Sequence, residues 1–149
     1  MEGDEERIER AFVRFSAAYN GFVEGVLTMP SYEIVIDTTD LWNAFPGLKQ
    51  GFKLILGDEG RHITFGTGAC RTLIEKNPEY EALVHEVFDT YRGNVVGLVE
   101  YQKAVPGLEI QKYQDQKVRH YRNRCREMGI TPDQELIDQI LDPEIDREP

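Results

Sequence analysis

The chain has 149 residues, which is enough for one domain with a single hydrophobic core. Its 27 acidic and 17 basic residues give a net charge of −10, which repels nucleic acid and anionic membrane surfaces, so neither is expected as a partner. The first ten residues are charged where a signal peptide needs an apolar run, and no apolar stretch is long enough to span a bilayer. We therefore expect one cytoplasmic domain over residues 1–149.

Apolar residues recur every three or four positions through most of the chain, which predicts an all-α fold. The first helix should begin near residue 4 and bury an apolar stripe that runs from Ile8 to Val26. Pro30 is expected to end or kink this helix, because proline breaks the helical hydrogen-bond ladder. A short segment should then lead to a turn around Asn43 and Pro46.

A second long helix is predicted from Pro46, a favoured first-turn residue, to about Lys76. Glu59 and His62 fall on its apolar stripe and are expected to face the core, so this hairpin of about residues 4–76 would carry the functional site. Glycine is costly inside a helix, so five glycines within this helix predict close packing around a buried site. They are Gly51, Gly57, Gly60, Gly66 and Gly68.

Further helices are expected over about residues 79–140. One should follow the cap at Asn77 and end before Pro106, and another should run from about Glu109 to Met128. Thr131 has capping-box spacing for a last short helix. Several side chains of these helices receive structural roles from their type and spacing alone. Buried positions or interfaces are expected for Tyr91, Tyr101, Tyr113, Tyr121, Cys70 and Cys125, and helix surfaces for His85 and His120.

The chemistry of the chain is concentrated in three residues. Glu59 and His62 are three positions apart, so they share one helix face. Glu24 lies thirty-five residues upstream, in a stretch with no other charge between Arg14 and Glu33. A carboxylate and an imidazole together suit iron or manganese. Because a buried carboxylate without a partner costs several kcal/mol, these positions predict a metal site.

The predicted site is half of a dinuclear centre. A helical-bundle site for two iron or manganese ions takes one Glu from each of two helices and a Glu-x-x-His pair from each of two others. This chain supplies Glu24 and the Glu59–His62 pair. The missing half should come from a second subunit. That subunit could be another copy of the chain, since a two-fold axis repeats each contact, or a separate chain with the other half-site.

Two stretches carry a family resemblance: YNGFVEG at Tyr19–Gly25 and GDEGRHITFGTGACR at Gly57–Arg71. They resemble the carboxyl-terminal metal-binding half of the ribonucleotide reductase small-subunit superfamily, and within it the ligand-binding oxidases. The resemblance covers about residues 10–75 and implies a ferritin-like bundle of which this chain is one half. It further implies that Glu24, Glu59 and His62 bind a dinuclear iron or iron–manganese centre that activates O₂, with a long-chain fatty acid as a bridging ligand.

The resemblance also implies roles for three neighbours of these ligands. Tyr19 matches a tyrosine that the metal centre oxidises and cross-links to a valine through an ether bond. Asp58 matches an acidic residue that orients a metal-bound histidine through a hydrogen bond. Tyr32 aligns with a tyrosine near the bound ligand. The three other ligands and the cross-linking valine have no counterpart here. No tyrosine follows Tyr121, so the radical-transfer tyrosine of true reductase subunits has none either.

Other functions stay open at the level of sequence. The same ligands would serve a ferroxidase or iron-storage module, which oxidises iron without an organic substrate. The chain could also be a reductase small-subunit-like fragment or a truncated piece of a full oxidase. In a non-catalytic helical interaction protein, Glu59 and His62 would be structural, and the fold would need no metal.

Overall fold

The computed structural model describes the backbone of residues 2–103 and 105–142 and the side chains of residues 3–95 and 105–142. Within these ranges the chain forms helices joined by turns, without a strand. In chain order the helical elements are α1 (Glu2–Ser16), a π-helical segment (Ala17–Thr28), α2 (Met29–Leu41), α3 (Pro46–Lys76), α4 (Tyr80–Lys103), α5 (Ile110–Met128) and α6 (Gln134–Leu141). The predicted all-α fold is thus confirmed for the described part of the chain.

The first helical run continues from Glu2 to Leu41, so the predicted end at Pro30 is wrong, and the helix type changes from π to α next to this residue. After α1 the chain widens into the π-helical segment, called the π segment below. At its end the Met29 N–H donates to the Glu24 carbonyl, five residues back. Pro30 then occupies the first turn of α2, where its missing N–H removes little helical bonding. The helix therefore passes through the proline position without a break.

The π segment lies at the centre of the molecule, against α3, α4 and α5. Its Phe22 is fully buried and packs on Phe88 of α4, with ring centroids 5.4 Å apart. Gly25 allows a close approach of α5, since a Cβ there would lie 2.6 Å from Cδ of Arg124. This packing fixes the position of the segment that carries Glu24.

Helix α3 has the predicted bounds, and the turn before it holds Asn43 and Phe45 at positive φ angles of 47° and 56°. Of the five glycines for which close packing was predicted, Gly66 makes the close contact, because a Cβ there would lie 2.3 Å from Asn20 of the π segment. For the other four the prediction of close packing is wrong, since their Cβ positions meet nothing within 4 Å. They are Gly51, Gly57, Gly60 and Gly68.

The ends of the later helices follow the sequence signals with one exception. As predicted, the Asn77 side chain accepts a hydrogen bond from a backbone N–H at the start of α4, and Gly129 ends α5 with a φ of 78°. The exception is α6, whose N-cap is Asp133 and not Thr131. The Asp133 carboxylate accepts from the Glu135 N–H, and a carboxylate is at least as good a cap as a hydroxyl.

Several predictions of burial can be compared with the structure. Tyr113, Tyr121 and both cysteines are buried as predicted, and desolvation raises the pKa of each thiol to about 12. His120 was expected on a surface but is 8% exposed, because α2 covers this side of α5 and places Glu33 opposite the imidazole. The side chain of Tyr101 lies outside the described residues.

The amino-terminal part of the predicted buried stripe is on the outside. Ile8 is 66% exposed and Phe15 is 58% exposed, whereas Val13 and Ala17 of the same helical run are fully buried. The side of α1 that packs against the core is thus not the side that the spacing of the aromatic residues predicts. In the described part of the chain, no helix has the length and hydropathy required for a membrane span.

Candidate metal centre

The three predicted ligands come together on the π segment and α3. His62 Nδ1 lies 3.3 Å from Oε2 of Glu59 and 3.5 Å from Oε1 of Glu24. One ligand atom from each residue falls within 4.8 Å of the other two. The spacing of Glu59 and His62 places them one turn apart on α3, and the packing of the π segment on α3 brings Glu24 to the same level.

Glu24 is the buried member of the group, with a side chain 5% exposed. Its Oε2 accepts a hydrogen bond of 2.9 Å from Nδ2 of Asn20, one turn earlier in the π segment. Asn20 in turn lies against Gly66, whose missing side chain makes room for it. The Asn20 amide therefore orients the carboxylate and leaves Oε1 directed at His62. Sequence reasoning missed Asn20, although its position four residues before Glu24 was a usable signal.

Glu59 is oriented from α2. The Tyr32 hydroxyl donates to Oε1 of Glu59 at 3.4 Å, and burial together with this carboxylate raises the pKa of the tyrosine. The Tyr32 ring meets Phe52 edge-on, with centroids 5.1 Å apart. The structure thus brings Tyr32 to the site, and its bond leaves Oε2 of Glu59 free to face His62.

Tyr19 also lies beside the ligands. Its ring is 48% exposed and stacks on Phe15 at 5.7 Å between centroids. The Glu24 carboxylate and then burial raise the pKa of Tyr19, with a smaller effect from Glu59, so the phenol lies within electrostatic reach of both carboxylates. Backbone hydrogen bonds in a π-helix join residues five apart, so such residues lie in adjacent turns on nearly the same side of the helix. Tyr19 and Glu24 are five apart, which explains why Tyr19 reaches Glu24.

Asp58 is placed differently from the other predicted residues. Its carboxylate forms an ion pair with Arg61 on the exposed side of α3. The apolar residues around the site also divide into two groups. Phe22 and Val26 belong to the core, whereas Phe15 and Ile55 are exposed near the ligands.

The donor set fits a divalent transition metal. Neighbouring ligands of a six-coordinate ion with bonds near 2.1 Å lie about 3 Å apart, so the observed separations need only small side-chain movements. Two carboxylates and one imidazole suit iron, manganese or zinc. Three donors leave coordination positions open, and His62, with a side chain 59% exposed, lies at the mouth of the site.

Comparison of the chain with protein-family models, curated protein sequences and solved structures gave no match. The likeness to the ribonucleotide reductase small-subunit superfamily therefore depends on the residues and spacing of the site itself.

Proposed function

We propose that this chain is one half of a dinuclear iron or iron–manganese carboxylate oxidase that activates O₂ at a site shared between two subunits. The observation that carries the proposal is the convergence of Glu24, Glu59 and His62, with one ligand atom of each within 4.8 Å of the others. This is half of the ligand set that a dinuclear helical-bundle site requires. In the proposed assembly, the ferritin-like bundle is completed by a second subunit.

A bound pair of reduced metal ions would supply the electrons for O₂ reduction. The chain's own residues would prepare the site for it. Asn20 and Tyr32 each hold one oxygen of a ligating carboxylate, so the free oxygens of Glu24 and Glu59 are directed towards His62. Such preorganisation lowers the cost of ordering the ligands when the ions bind.

Tyr19 is the proposed site of one-electron oxidation. Its phenol faces Glu24, so the carboxylate can take up the phenolic proton as the ring gives up an electron. Oxidation without proton loss would leave a phenol radical cation, and an adjacent base avoids this state. A long-chain fatty acid remains the proposed ligand, and the exposed side chains of Phe15 and Ile55 offer apolar contacts for an acyl chain beside the metals.

Metal analysis after anaerobic loading with Fe²⁺ or Mn²⁺ tests the proposal. The wild-type chain should retain about one ion per chain after desalting, since each copy holds half of a two-metal site. Glu24→Gln, which keeps the shape but removes the charge, should lose most of this metal. Glu75→Gln on α3 is the matched control, because Glu75 is exposed and pairs with Arg71.

Equal metal content in wild type and Glu24→Gln would contradict the assignment, and so would a wild-type chain that retains no metal. Exposure of the iron-loaded protein to O₂ then separates two chemistries. A single round of O₂ uptake that leaves a stable two-metal centre supports the oxidase. Continued Fe²⁺ oxidation with mineral formation would instead identify a ferroxidase.

A further inference from the structure

Exposed apolar and aromatic side chains lie along the two helical runs that carry the metal site. These side chains are Ile8, Phe12, Phe15 and Tyr19 on the first helical run and Ile55 and Phe65 on α3, and they are called the open face below. They are between 36% and 69% exposed. Steps of three or four residues place the first four on one side of the run. A row of exposed apolar side chains of this kind on a small domain indicates an interaction surface.

The open face is continuous with the metal ligands. Phe15 stacks on Tyr19, whose phenol lies within electrostatic reach of Glu24 and Glu59. His62 lies between Ile55 and Phe65 along α3 and is itself mostly exposed. A partner that covers the open face must therefore also cover the metal donors.

From these features we infer that the occupant of the open face is a second copy of this chain, and that its docking is linked to metal binding. This inference rests on the proposed function and names the second subunit of its site. Each copy offers two Glu and one His, so a two-fold axis through the site gives four Glu and two His. That is the full set of a dinuclear bundle site, whereas one copy alone supplies half of it.

Charge explains the link to metal. Without cations, the dimer would bring four carboxylates into one water-poor site, where like charges repel strongly. Two divalent ions carry four positive charges and neutralise them. The six side chains of the open face carry no charge, so they add apolar attraction without further repulsion, although each chain has a net charge of −10. The apo chain should thus be a monomer and the metal-loaded chain a dimer.

Thermodynamic linkage makes the coupling between metal binding and dimerisation reciprocal: if metal increases the affinity of the two copies for each other, dimerisation increases the affinity for metal. If metal favours the dimer, a substitution that blocks docking must also weaken metal binding, even when it leaves every ligand in place. This effect distinguishes a site shared between copies from a site complete within one chain.

Sedimentation velocity with and without Mn²⁺, combined with Mn²⁺ titration, tests the inference. The EDTA-treated wild type should sediment as a monomer and become a dimer with Mn²⁺. Phe15→Asp should remain monomeric and bind Mn²⁺ at least about tenfold more weakly, since a buried unpaired charge opposes docking. Ile8→Asp, at a second exposed position, should behave in the same way, with circular dichroism confirming that both variants fold.

Trp42→Glu is the control for surface charge, because Trp42 is 55% exposed but lies in the turn before α3, well away from the open face. It should dimerise with Mn²⁺ as the wild type does. A wild type that binds Mn²⁺ as a monomer would overturn the inference while leaving the metal site of the proposed function intact. A dimer that ignores Mn²⁺ and tolerates Phe15→Asp would also overturn it. Absence of Mn²⁺ binding would overturn the proposed function and the inference together.

Discussion

Glu24 is the residue whose environment most needs a cation. Its carboxylate is buried, and its polar neighbours are the Asn20 amide, the His62 imidazole and the Tyr19 phenol. A buried carboxylate usually needs a full set of donors or an opposite charge. A bound metal ion would meet this need directly, and the proposed site would account for a glutamate where the surrounding side chains form the core.

Gly66 controls the distance between the π segment and α3. We expect Gly66→Ala to destabilise the fold by about 1–3 kcal/mol and to weaken metal binding, because the added methyl group would meet Asn20, the residue that orients Glu24. Urea unfolding and Mn²⁺ titration measure the two effects. Gly68→Ala is the matched control two residues along the same helix, where the Cβ position is open. It should gain up to about 1 kcal/mol from helix propensity.

Lys117 is fully buried, and its ammonium donates to the Val95 carbonyl at 3.3 Å. Desolvation lowers its pKa to about 8. The unfolded chain, with an ordinary lysine pKa near 10.4, binds more protons than the folded chain between these pH values, so this group makes stability rise as pH increases through that window. Lys117→Met should therefore increase stability at pH 7 by about 2–3 kcal/mol and remove the rise.

Urea unfolding of wild type and Lys117→Met at pH 7 and pH 9.5 measures this difference. The two buried thiols act in the opposite direction at high pH, because their raised pKa values favour the unfolded chain as it ionises. They are present in both proteins, so their effect cancels in the comparison. Lys53→Met changes an exposed lysine and should leave the pH dependence as in wild type. An unchanged slope in Lys117→Met would contradict the assignment.

At the level of single residues, the sequence predicted which three side chains come together, but not the residues that orient them. Glu24 was visible because charge is absent around it, and the pair on α3 because of its three-residue spacing. Asn20 and Gly66 act through a contact between two helices, and no local pattern reports such a contact. Tyr32 was predicted only through the family resemblance. Its bond to Glu59 joins α2 to α3, so no local pattern in the sequence indicates it.

The π segment is the element that organises the site. Its wider turn places Tyr19 and Asn20 beside Glu24 and admits Pro30 without a break. If the whole run were α-helical, Ile8 and Phe15 would lie on the same side as the buried Phe22. This geometry underlies the prediction that Ile8 and Phe15 are buried, which is wrong. π-helix is a rare state that is usually retained where a site needs it, so periodicity alone does not predict it.

The start of α6 gives a direct test of the element boundaries. Asp133 caps this helix and also forms an ion pair with Arg92 of α4, so Asp133→Ala should cost about 1–2 kcal/mol. Thr131→Ala should cost less than about 0.5 kcal/mol, because this residue precedes the cap. Urea unfolding of both variants measures the difference. A larger loss of stability in Thr131→Ala than in Asp133→Ala would support Thr131 as the helix cap, as the sequence spacing predicts.

At the scale of the whole molecule, the fold holds the ligands on one side and leaves that side uncovered. The core forms where the π segment meets α4 and α5, with Phe88 in contact with both Phe22 and Tyr121. The ligands lie at the border of this core, next to exposed apolar side chains. The single chain is thus stable enough to position three donors, but it does not enclose them.

Metal should stabilise the whole molecule. A ligand at about a hundred times its dissociation constant adds about 2.7 kcal/mol when it binds the folded state alone. For a chain of this size we expect the Tm to rise by about 5–10 °C on addition of Mn²⁺. Differential scanning calorimetry with Mn²⁺ and then with EDTA measures the shift and its reversal. Glu24→Gln should lose the shift and Glu75→Gln should retain it. Equal shifts in both variants would place the ion elsewhere.

The sequence by itself determined the helical class and the bounds of α3, and it singled out the three proposed metal donors, because periodicity and residue spacing are local properties. Only the tertiary structure decided which side of α1 is buried, how Asn20 and Tyr32 orient the carboxylates, and where the donors open to solvent. These features arise from packing between helices far apart in the chain. A local pattern records that a helix has an apolar side, but the competition among all the helices for the core decides which side is covered.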